Sequence, residues 1–523
     1  MSDSARGEPG TWRFLAYWDN GAIDLGATRA ELPVSDRDAS GVIRNTVMPQ
    51  QLHHVPGDRR WYVWSGTHQK PDKSALAAKL LMTFSACYDE VIRTARAAVQ
   101  TQVALDHPGD PKALDAAFKK EWESWKACEA YANAIRNTRG MSGLETMLAK
   151  RCGTSPEEMA DRYPAHWNTD AGIVDLLAAG GTAADLYPHD PAAMMIYCSP
   201  VTYEQGSAAD PEHTLAPAYR CPQFAAMVLR ACGGDQTVAT YLIMALGYAL
   251  LGYNPHQLCF FLTGPTGNGK SKILSIVSTV MGPALAYEAE TPLLARVKDR
   301  HPRHAATMRG KRLITMSETN QALYLDEMQL KRLTGEDYIS VELLYEQTMT
   351  RTQVSWVIFI GNNMMPSLLH LDAALRRRIV VIPMSGVSVP EWERDEGLAA
   401  RIVAEEAAGI AALLVWGCRA AMAKPGGLTD LPVAVAAATA QYAAEQNIAA
   451  RWVSERCVLR TDGPAVAGAD CYRSMRQWCR PEEDPGRNSF YEMLAEVPGV
   501  RRVPGDGEHA VWFTGCEIKR DWL

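Results

Sequence analysis

Residues 264–271 read Gly-Pro-Thr-Gly-Asn-Gly-Lys-Ser and match the phosphate-binding loop pattern G-x-x-x-x-G-K-[ST] at every position. The apolar run 258–262 before this loop predicts a buried strand. The apolar spacing over 272–281 after it predicts a helix that stops at Gly282-Pro283. Strand, glycine turn and helix in this order indicate a nucleotide site, with a ligand-free glycine turn as the alternative. An α/β P-loop core is therefore predicted.

The side chains of this loop are those that bind a nucleoside triphosphate. The glycines let backbone N–H groups turn inward around phosphates, and the helix start adds its partial positive charge. Lys270 is expected to neutralise charge on the β- and γ-phosphates, and the Ser271 hydroxyl to bind Mg²⁺. The predicted nucleotide-binding residues are Gly264, Pro265, Thr266, Gly267, Asn268, Gly269, Lys270, Ser271 and Lys272.

Hydrolysis also needs an acidic residue that orients water. The apolar run 313–316 predicts a short strand that ends at Ser317-Glu318. A carboxylate at the C-terminal end of a parallel strand beside the phosphate loop lies where Mg²⁺ and the attacking water bind. We therefore predict that Glu318 polarises the water and contributes to the Mg²⁺ site. A solvated loop glutamate is the alternative.

A second predicted strand also ends in polar residues, farther along the chain. Residues 354–361 read as another buried strand, which leads into Asn362-Asn363. An amide at this position can hydrogen-bond the γ-phosphate or hold the water. The alternative is a strand-ending turn, which asparagine also favours.

Three consecutive arginines, Arg376, Arg377 and Arg378, precede a predicted strand over 379–382. A run of charge usually forms a solvated surface. It can also present a guanidinium to the γ-phosphate of a neighbouring subunit, as an arginine finger. Both interpretations stay open on the residues alone.

Length and composition set limits on the rest of the molecule. A chain of 523 residues predicts roughly three domains. A formal charge of −7 argues against a protein that coats nucleic acid over its whole surface, but it allows a local basic channel. The twelve cysteines include no Cys-x-x-Cys pair, so buried free thiols in a reducing compartment are expected. No long apolar or export segment is present, which predicts a cytoplasmic protein.

Four regions are predicted along the chain. Residues 1–75 form a small, partly β region of unclear role, and 76–230 are mainly helical, with helices over 75–105 and 112–136. Breaks are expected at Pro108-Gly109 and at Gly140. The nucleotide core covers 231–423, and it ends in helices over 399–423. After a linker at 424–427, residues 430–523 mix helices with a final strand.

The ordered motifs resemble superfamily 3 helicases. More narrowly, they are similar to the phage, plasmid and poxvirus primase–helicase group, which are AAA+ ATPases that work as rings, usually hexamers. The residues that carry the resemblance in the core are 264–271, 310–318, 330–337, 361–366 and 375–383. Residues 168–176, 220–224 and 246–248 resemble the helical domain that precedes the ATPase, 398–417 the lid helices, and 471–479 the start of a C-terminal winged-helix domain.

The resemblance implies a role for each matching position. Lys270 and Ser271 would bind phosphate and Mg²⁺, Glu318 would be the second acidic motif, and Asn363 the sensor asparagine. Arg377 or Arg378 would be the finger, and the extra Arg376 leaves the register open by one. ATP, Mg²⁺, a single DNA strand in the ring channel and further copies of the chain are the implied partners. The implied nucleic-acid contacts, on a loop or hairpin over 331–351, are Lys331, Arg332 and Arg351.

Two features depart from that group. About 75 residues precede the helical region, too few for a catalytic domain of typical size, so a primase or polymerase is expected to be a separate polypeptide. The hairpin carries Glu342 and Glu346, which repel phosphates, and this leaves Arg351 near the expected tip. The basic segment 296–312 is another candidate for DNA contact, with a solvated loop as the alternative.

The sequence thus predicts an ATP-driven, ring-forming DNA helicase of phage or mobile-element replication. A rival is an initiator-type AAA+ protein that melts an origin without processive unwinding. A second rival is a nucleotide-gated assembly module whose partner is a protein.

Overall fold

The fold is taken from a computed structural model of the chain. It describes residues 15–18, 21–24, 32–46, 52–56, 60–73, 75–154, 163–178, 185–204, 220–290, 293–294, 307–317, 325–335, 338–342, 349–363, 365–368, 371–423, 426–460, 463–504 and 511–519. Backbone contacts divide the chain into two compact units. The N-terminal unit comprises residues 1–162 and 189–197, and the C-terminal unit comprises 163–188 and 198–523.

The N-terminal unit combines short strands with a helical layer. Its described elements are β1 (Leu15–Trp18), β2 (Gly21–Asp24), α1 (Asp36–Thr46), β3 (Leu52–Val55), β4 (Arg60–Trp64), β5 (Gln69–Pro71), α2 (Leu76–Asp106), α3 (Pro111–Trp122), α4 (Lys126–Ile135) and α5 (Thr138–Arg151). In α2, Leu80, Phe84, Tyr88, Val91 and Ala95 recur every three or four residues, and all are buried. This spacing builds the core of the unit.

The helices of this unit follow the sequence prediction with two corrections. The helix predicted over 112–136 is divided into α3 and α4 by a 3₁₀ turn at Glu123–Trp125. The helix predicted over 75–105 is confirmed as α2. The break predicted at Gly140 is wrong, because Gly140 lies inside α5. The side-chain oxygen of Asn137 accepts a hydrogen bond from the Gly140 N–H at 2.9 Å and caps α5, so the chain breaks at Asn137 instead.

The residues before 75 belong to the same compact unit as the helices after it. Helix α1 packs on α5. The Arg151 side chain at the end of α5 donates from Nε to the Ser40 hydroxyl at 2.8 Å. The partly β character predicted for 1–75 is confirmed by β1 to β5, whereas α1 has no counterpart in the prediction.

The C-terminal unit begins with a small sheet and two helices that precede the phosphate loop. These elements are β6 (His166–Thr169), β7 (Gly172–Asp175), β8 (Leu186–Tyr187), α6 (Pro222–Ala231) and α7 (Gln236–Tyr248). The Arg419 guanidinium of a later helix forms a buried ion pair of 3.3 Å with Asp185, and Tyr203 donates to the same carboxylate. This pair joins the small sheet to the helices of the unit.

The nucleotide core is built on a five-stranded parallel sheet. Its elements are β9 (Cys259–Thr263), α8 (Lys270–Met281), β10 (Ala286–Glu288), β11 (Leu313–Ser317), α9 (Glu327–Thr334), β12 (Tyr338–Glu342), β13 (Met349–Gln353), β14 (Val357–Asn362), α10 (Ala373–Arg376), β15 (Ile379–Pro383) and α11 (Leu398–Ala423). The strand order is β10-β11-β14-β9-β15, and every neighbouring pair runs parallel. The strands predicted at 258–262, 313–316, 354–361 and 379–382 are confirmed.

The strand before the phosphate loop is central in this sheet. Phe260 and Phe261 of β9 are buried, and the Phe260 ring stacks on Phe359 of β14 at 4.9 Å between centroids. A strand that is covered on both faces needs a continuous apolar run, as this one has. The loop that follows β9 therefore starts from a rigid position between β14 and β15.

Helices α6, α7 and α11 form a layer in contact with the loop region. A Cβ atom on Gly247 of α7 would lie 2.3 Å from the Leu414 carbonyl oxygen of α11, so only glycine permits this close approach. The buried carboxylate of Glu406 in α11 accepts the N–H groups of Gln223 and Phe224, each at 2.9 Å. A carboxylate at a helix N-terminus accepts hydrogen bonds from the first N–H groups of the helix and interacts favourably with the helix dipole. Glu406 therefore fixes the start of α6.

The last part of the chain contains four helices and short antiparallel strands. These are α12 (Val433–Glu445), α13 (Ile448–Arg456), β16 (Cys457–Leu459), β17 (Val466–Ala467), α14 (Gly468–Trp478), α15 (Arg487–Ala495), β18 (Arg501–Pro504), β19 (Val511–Thr514) and β20 (Cys516–Ile518). Helices α13 to α15 share one core with β19 and β20. Helix α12 instead packs on the central sheet, where the Thr439 hydroxyl accepts the Val381 N–H at 3.0 Å.

Two general expectations can be compared with the described residues. All twelve cysteines are free, and nine of them are buried, as predicted. Among the helices that the structure describes, none has both the length and the apolar character required to cross a bilayer.

Candidate nucleotide-binding site

The phosphate loop connects β9 to α8 and has the backbone that its glycines permit. Gly267 and Gly269 have φ angles of 79° and 108°, in the left-handed region where a Cβ atom causes strain. Helix α8 then begins at Lys270, so its unpaired N–H groups face the loop. Loop and helix start together form the anion-binding arrangement that the sequence predicts.

Lys270 is folded back into the loop. Its ammonium donates to the carbonyl oxygens of Gly264 and Pro265, both at 2.8 Å, and to the Asn268 Oδ1 at 3.1 Å. The residue is only 3% exposed. All three acceptors are neutral, and a phosphate oxygen would be a stronger, charged acceptor for the same ammonium. Lys270 is therefore held in place at the loop before any ligand arrives.

A segment after β15 runs along the loop and is fastened to it. We call residues 384–395 the strap. The Met384 N–H donates to the Thr263 carbonyl at 2.6 Å, and Asn268 donates from Nδ2 to the Met384 carbonyl at 2.7 Å. Further along, the Val389 N–H donates to Gly267, and Lys272 donates from Nζ to the carbonyl of residue 395. Sequence reasoning gave the strap no role.

The predicted sensor asparagine lies beside the loop. Asn363 directly follows β14, the neighbour of β9, and its Nδ2 donates to the Thr266 hydroxyl at 3.0 Å. The contact joins the edge of the sheet to the tip of the phosphate loop. An amide at this distance is placed to hydrogen-bond the terminal phosphate of a bound nucleotide. The structure thus brings Asn363 to the site, while its role stays a prediction.

A cavity of about 330 Å³ opens at the loop. Its lining includes the predicted Ser271 and Lys272 and two arginines that the sequence did not point to, Arg230 of α6 and Arg394 of the strap. A Cβ atom on Gly267 would lie 2.7 Å from the Arg394 Nη2, so this guanidinium lies directly against the loop. No local motif marks either arginine, because each comes from an element that only the fold brings to the loop.

A second cavity of about 740 Å³ adjoins the first and shares Arg230 and Val389 with it. Its walls are helix α6 and the first half of the strap. Their lining side chains are mostly small or apolar, including Ala226, Leu229 and Pro390. An apolar wall beside a phosphate loop suits the base and ribose of a nucleotide.

The residues at the loop fit a Mg²⁺ ion. The Ser271 hydroxyl lines the cavity. Mg²⁺ prefers oxygen ligands and is usually held by one or two protein oxygens together with substrate phosphates and water. Glu318, the other predicted ligand and the predicted base, lies outside the described residues. It follows β11, whose last residue, Ser317, is in register with Gly361 of β14. Its strand therefore ends at the same edge of the sheet as the phosphate loop.

Arg376, Arg377 and Arg378 lie at the N-terminal ends of the strands, opposite the end that carries the phosphate loop. We call this N-terminal end of the sheet the arginine edge. Ile379, the first residue of β15, is in register with Cys259, whereas the phosphate loop follows Thr263. Four residues of strand separate the two ends by about 13 Å. These arginines therefore cannot reach the phosphate loop of their own chain, and any contact with a nucleotide must be made in a second copy.

The arginines differ in exposure and in partners. Arg376 is exposed and forms an ion pair of 2.8 Å with Glu496. Arg377 is exposed and donates to the Gln257 Oε1 at 2.8 Å, whereas Arg378 is 9% exposed and donates to the same oxygen at 2.6 Å. Of the two candidates for the finger, only Arg377 presents an exposed side chain.

The hairpin predicted within 331–351 is present. Strands β12 and β13 pair antiparallel, with Tyr338 opposite Gln353 and Glu342 opposite Met349. Arg351 pairs with Ser340 in the middle of the ladder, so its expected position near the tip is wrong. The connection over 343–348, which includes Glu346, lies outside the described residues.

The other two predicted nucleic-acid residues lie on α9. Arg332 is exposed, whereas Lys331 forms an ion pair with Asp372. Partial burial raises the pKa of the Asp372 carboxyl, but the hydrogen bond and charge of Lys331, together with hydrogen bonds from the Leu375 and Ala374 backbone N–H groups, leave the pKa below its usual value. The Lys331 charge is therefore already partly neutralised within the chain.

The basic segment 296–312 is only partly described. Arg312 was grouped with the candidate DNA contacts, but it is fully buried and donates to the carbonyl oxygens of Leu250 and Tyr163. Its assignment to a DNA-contacting surface is wrong, because the buried side chain joins the start of β11 to the segments that follow α7 and precede β6. Lys311 donates to the Pro283 carbonyl, and burial lowers the pKa of its ammonium. Residues 295–306 lie outside the described residues.

Two family models match the chain. One, described as D5 N terminal like, matches residues 43–231. The other, described as a family of unknown function (DUF5906), matches residues 262–378. The second match begins at the end of β9 and stops at the arginine edge, so it covers the phosphate loop and all the core strands between.

Two similar curated proteins come from large DNA viruses. "Putative helicase 022R" of frog virus 3 (isolate Goorha) is 22% identical over 298 residues, which are 53% of this chain and 30% of that protein. "Putative helicase L207/L206" of Acanthamoeba polyphaga mimivirus is 25% identical over 152 residues, or 28% of this chain and 16% of that protein. The matches thus span less than a third of these relatives.

Solved structures give weaker likenesses. One apo structure of the NrS-1 C terminal region is 11% identical over 57% of this chain and 76% of that chain, with a TM-score of 0.35. Another is 12% identical over 56% of this chain and 75% of that chain, with a TM-score of 0.30.

Proposed function

We propose that this protein is an ATP-driven, ring-forming DNA helicase of the superfamily 3 AAA+ class that acts in phage or viral DNA replication. The observation that carries the proposal is the pairing of a complete phosphate loop with Asn363, which donates to Thr266 at 3.0 Å from the adjacent strand end. The similarity to viral proteins named helicases supports the choice among P-loop functions.

Within one copy, the loop would bind the triphosphate of ATP. Lys270 would exchange its carbonyl acceptors for phosphate oxygens, and the N–H groups at the start of α8 would donate to the same phosphates. Ser271 and Glu318 would hold Mg²⁺, which, when bound, neutralises phosphate charge. Asn363 would fix the position of the γ-phosphate, and the Glu318 carboxylate would accept a proton from the attacking water.

A second copy would complete the site. The arginine edge lies too far from its own loop, so Arg377 would act on the γ-phosphate held by its neighbour. An arginine supplied in this way stabilises the charge that develops in phosphoryl transfer. Repeated head-to-tail contacts of this kind close into a ring, and a hexamer is the expected number.

DNA would pass through the channel of the ring. The hairpin of β12 and β13, together with Arg332 of α9, would lie along that channel and move as ATP is hydrolysed. A primase or polymerase on a separate polypeptide is a further proposed partner.

The acidic hairpin favours a second candidate. Glu342 lies at the end of β12 next to the hairpin connection, and carboxylates repel the DNA backbone. Such a hairpin suits an initiator-type protein that melts an origin without processive unwinding. A nucleotide-gated module that assembles with a protein partner is the remaining alternative.

The deciding experiment is the ATPase rate of the purified chain with and without single-stranded DNA, at low and high salt. A helicase predicts stimulation by DNA that weakens with salt, because phosphate contacts release counterions. Indifference to DNA would support the protein-assembly alternative. A forked-duplex strand-separation assay then distinguishes a helicase from an initiator, since an initiator would bind origin DNA and leave the fork paired.

A further inference from the structure

The strap carries two of the most exposed apolar side chains among the described residues. Val387 and Trp392 are each 85% exposed. Tryptophan is usually well buried, because its ring removes a large apolar area from water. An exposed tryptophan and valine on one segment therefore indicate a contact that this single chain does not make.

These side chains lie on a segment that is tied to the phosphate loop. Between them, the Ser388 hydroxyl donates to the Thr266 carbonyl at 2.5 Å, and the Val389 N–H donates to the Gly267 carbonyl at 3.1 Å. On the other side of Trp392, Lys272 donates to the carbonyl of residue 395. A change in the loop on nucleotide binding would therefore move Trp392.

The charges around Trp392 select among partners. Glu391 and Glu396 are exposed on the same short stretch and carry negative charge beside Arg394, whereas the nearby Asp395 is paired with Arg401. Acidic groups repel the phosphates of nucleic acid, so stacking of a DNA base on Trp392 is disfavoured. The same groups attract a basic surface.

The chain itself presents a basic surface of this kind. Arg376 and Arg377 are exposed at the arginine edge, at the opposite end of the sheet from the strap. A head-to-tail contact between two copies would bring the strap of one against the arginine edge of the next. Arginine binds well over the face of tryptophan, and these two residue types are enriched among the strongest contacts of interfaces.

We propose that Val387, Glu391 and Trp392 form a docking surface for the arginine edge of a second copy of this chain. The inference rests on the proposed function, because it requires an assembly in which each nucleotide lies between two copies. It adds the residues that form the interface. It also explains how nucleotide binding in one copy would change the strength of its contact with the neighbouring copy.

The test compares the doubly substituted Val387→Ala/Trp392→Ala protein with wild type and with a matched control, Val433→Ala. Val433 is 88% exposed, lies at the start of α12 and is not part of the strap. Sedimentation velocity with and without a non-hydrolysable ATP analogue reports assembly. The affinity of each protein for a fluorescent ATP analogue, measured under conditions where it is monomeric, reports the nucleotide site.

We expect wild type and V433A to assemble with the analogue. The association affinity of the double variant should be roughly thirtyfold lower, as after loss of an interface hot spot. The nucleotide affinity of the single variant Trp392→Ala should change by less than about threefold, because Trp392 lines neither of the two cavities, whereas Val387 lines the second one. Glu391→Lys should also weaken assembly, and more so at low salt, where the new charge repels the arginines most.

Normal assembly of the double variant would overturn the docking surface and leave the ring intact. If wild type stays monomeric with analogue and DNA, the proposed ring fails, and the docking surface fails with it. Loss of binding to a single-stranded oligonucleotide, with assembly unchanged, would assign Trp392 to nucleic acid and overturn the inference.

Discussion

The two ends of the central sheet differ in how many of the partners of their polar side chains come from the same chain. At the C-terminal end of the strands, Lys270, Asn268, Asn363 and the strap form a connected hydrogen-bonded site. At the other end, the exposed Arg377 contacts only the neutral Gln257 among the partners that the structure identifies. In the proposed function, a single copy would therefore bind a nucleotide, whereas Arg377 would act only on a nucleotide in a second copy.

This comparison separates binding from hydrolysis. Substitutions of the residues that contact the phosphates are expected to remove nucleotide affinity. Substitutions of the predicted base and of the arginine edge are expected to remove turnover while affinity remains. Four substitutions test the division, and their expected effects decrease in the order given below.

The largest effect is expected for Arg377→Ala. An arginine finger contributes roughly 10³- to 10⁵-fold to kcat, so ATP turnover should fall by at least about a thousandfold. Nucleotide affinity of the monomer should be unchanged, since Arg377 lies at the far end of the sheet. Arg376→Ala is the matched control, because that residue forms an exposed ion pair of little energy. Equal losses in both variants would refute the assignment of Arg377.

Removal of the predicted base is expected to come next. Glu318→Gln keeps the size and the oxygen ligand of the side chain but cannot accept a proton. Hydrolysis should fall roughly 10²- to 10⁴-fold. ATP should remain bound, and the assembled form should become more stable, as measured by nucleotide retention on a filter and by sedimentation. If E318Q hydrolyses ATP at the normal rate, another residue is the base.

At the phosphate-loop end, Lys270→Ala should weaken ATP binding by about a hundredfold or more, because the bound phosphates lose a buried charged donor. Calorimetric titration with an ATP analogue measures this loss. Lys119→Ala is the control, since this exposed lysine of α3 pairs with Asp115 and does not line the cavity. An intact affinity in K270A would remove the loop from the nucleotide site.

A smaller effect is expected for Arg394→Ala. The Arg394 guanidinium lies against Gly267 and can donate to a bound phosphate. Loss of one hydrogen bond to a charged group should weaken nucleotide affinity by roughly tenfold or somewhat more. Arg376→Ala removes an arginine whose partner is Glu496, outside the cavity, and it should leave affinity close to wild type. Indistinguishable affinities for R394A and wild type would show that Arg394 only supports the strap.

The sequence predicted the parts of the site that follow one another along the chain. The loop, its strand and its helix are local, and Asn363 was identified from the strand that delivers it. Residues that only the fold brings to the loop were missed. Arg230 comes from α6, and Arg394 comes from the strap, at the end of a single 3₁₀ turn over Glu391–Glu393.

The charge pattern of the sequence was a misleading guide to nucleic-acid contacts at positions where the fold buries or pairs the charged side chain. Arg312 belongs to a basic run, yet it is buried and satisfied by carbonyl groups. Lys331 was placed on the nucleic-acid surface, yet it is paired with Asp372. Composition shows how many charges a segment carries but not which of them point inward. The helix break predicted at Gly140 was also wrong, because the cap at Asn137 determines where α5 begins.

The central claim is that each hydrolytic site is shared between two copies, and mixing two inactive variants tests it directly. K270A lacks the nucleotide end but keeps Arg377, whereas R377A keeps the nucleotide end and lacks the finger. Each alone is expected to hydrolyse almost no ATP, while an equimolar mixture should recover a substantial fraction of wild-type turnover, because some interfaces combine an intact loop with an intact arginine. A mixture no more active than the sum of the two separate proteins would contradict a shared site.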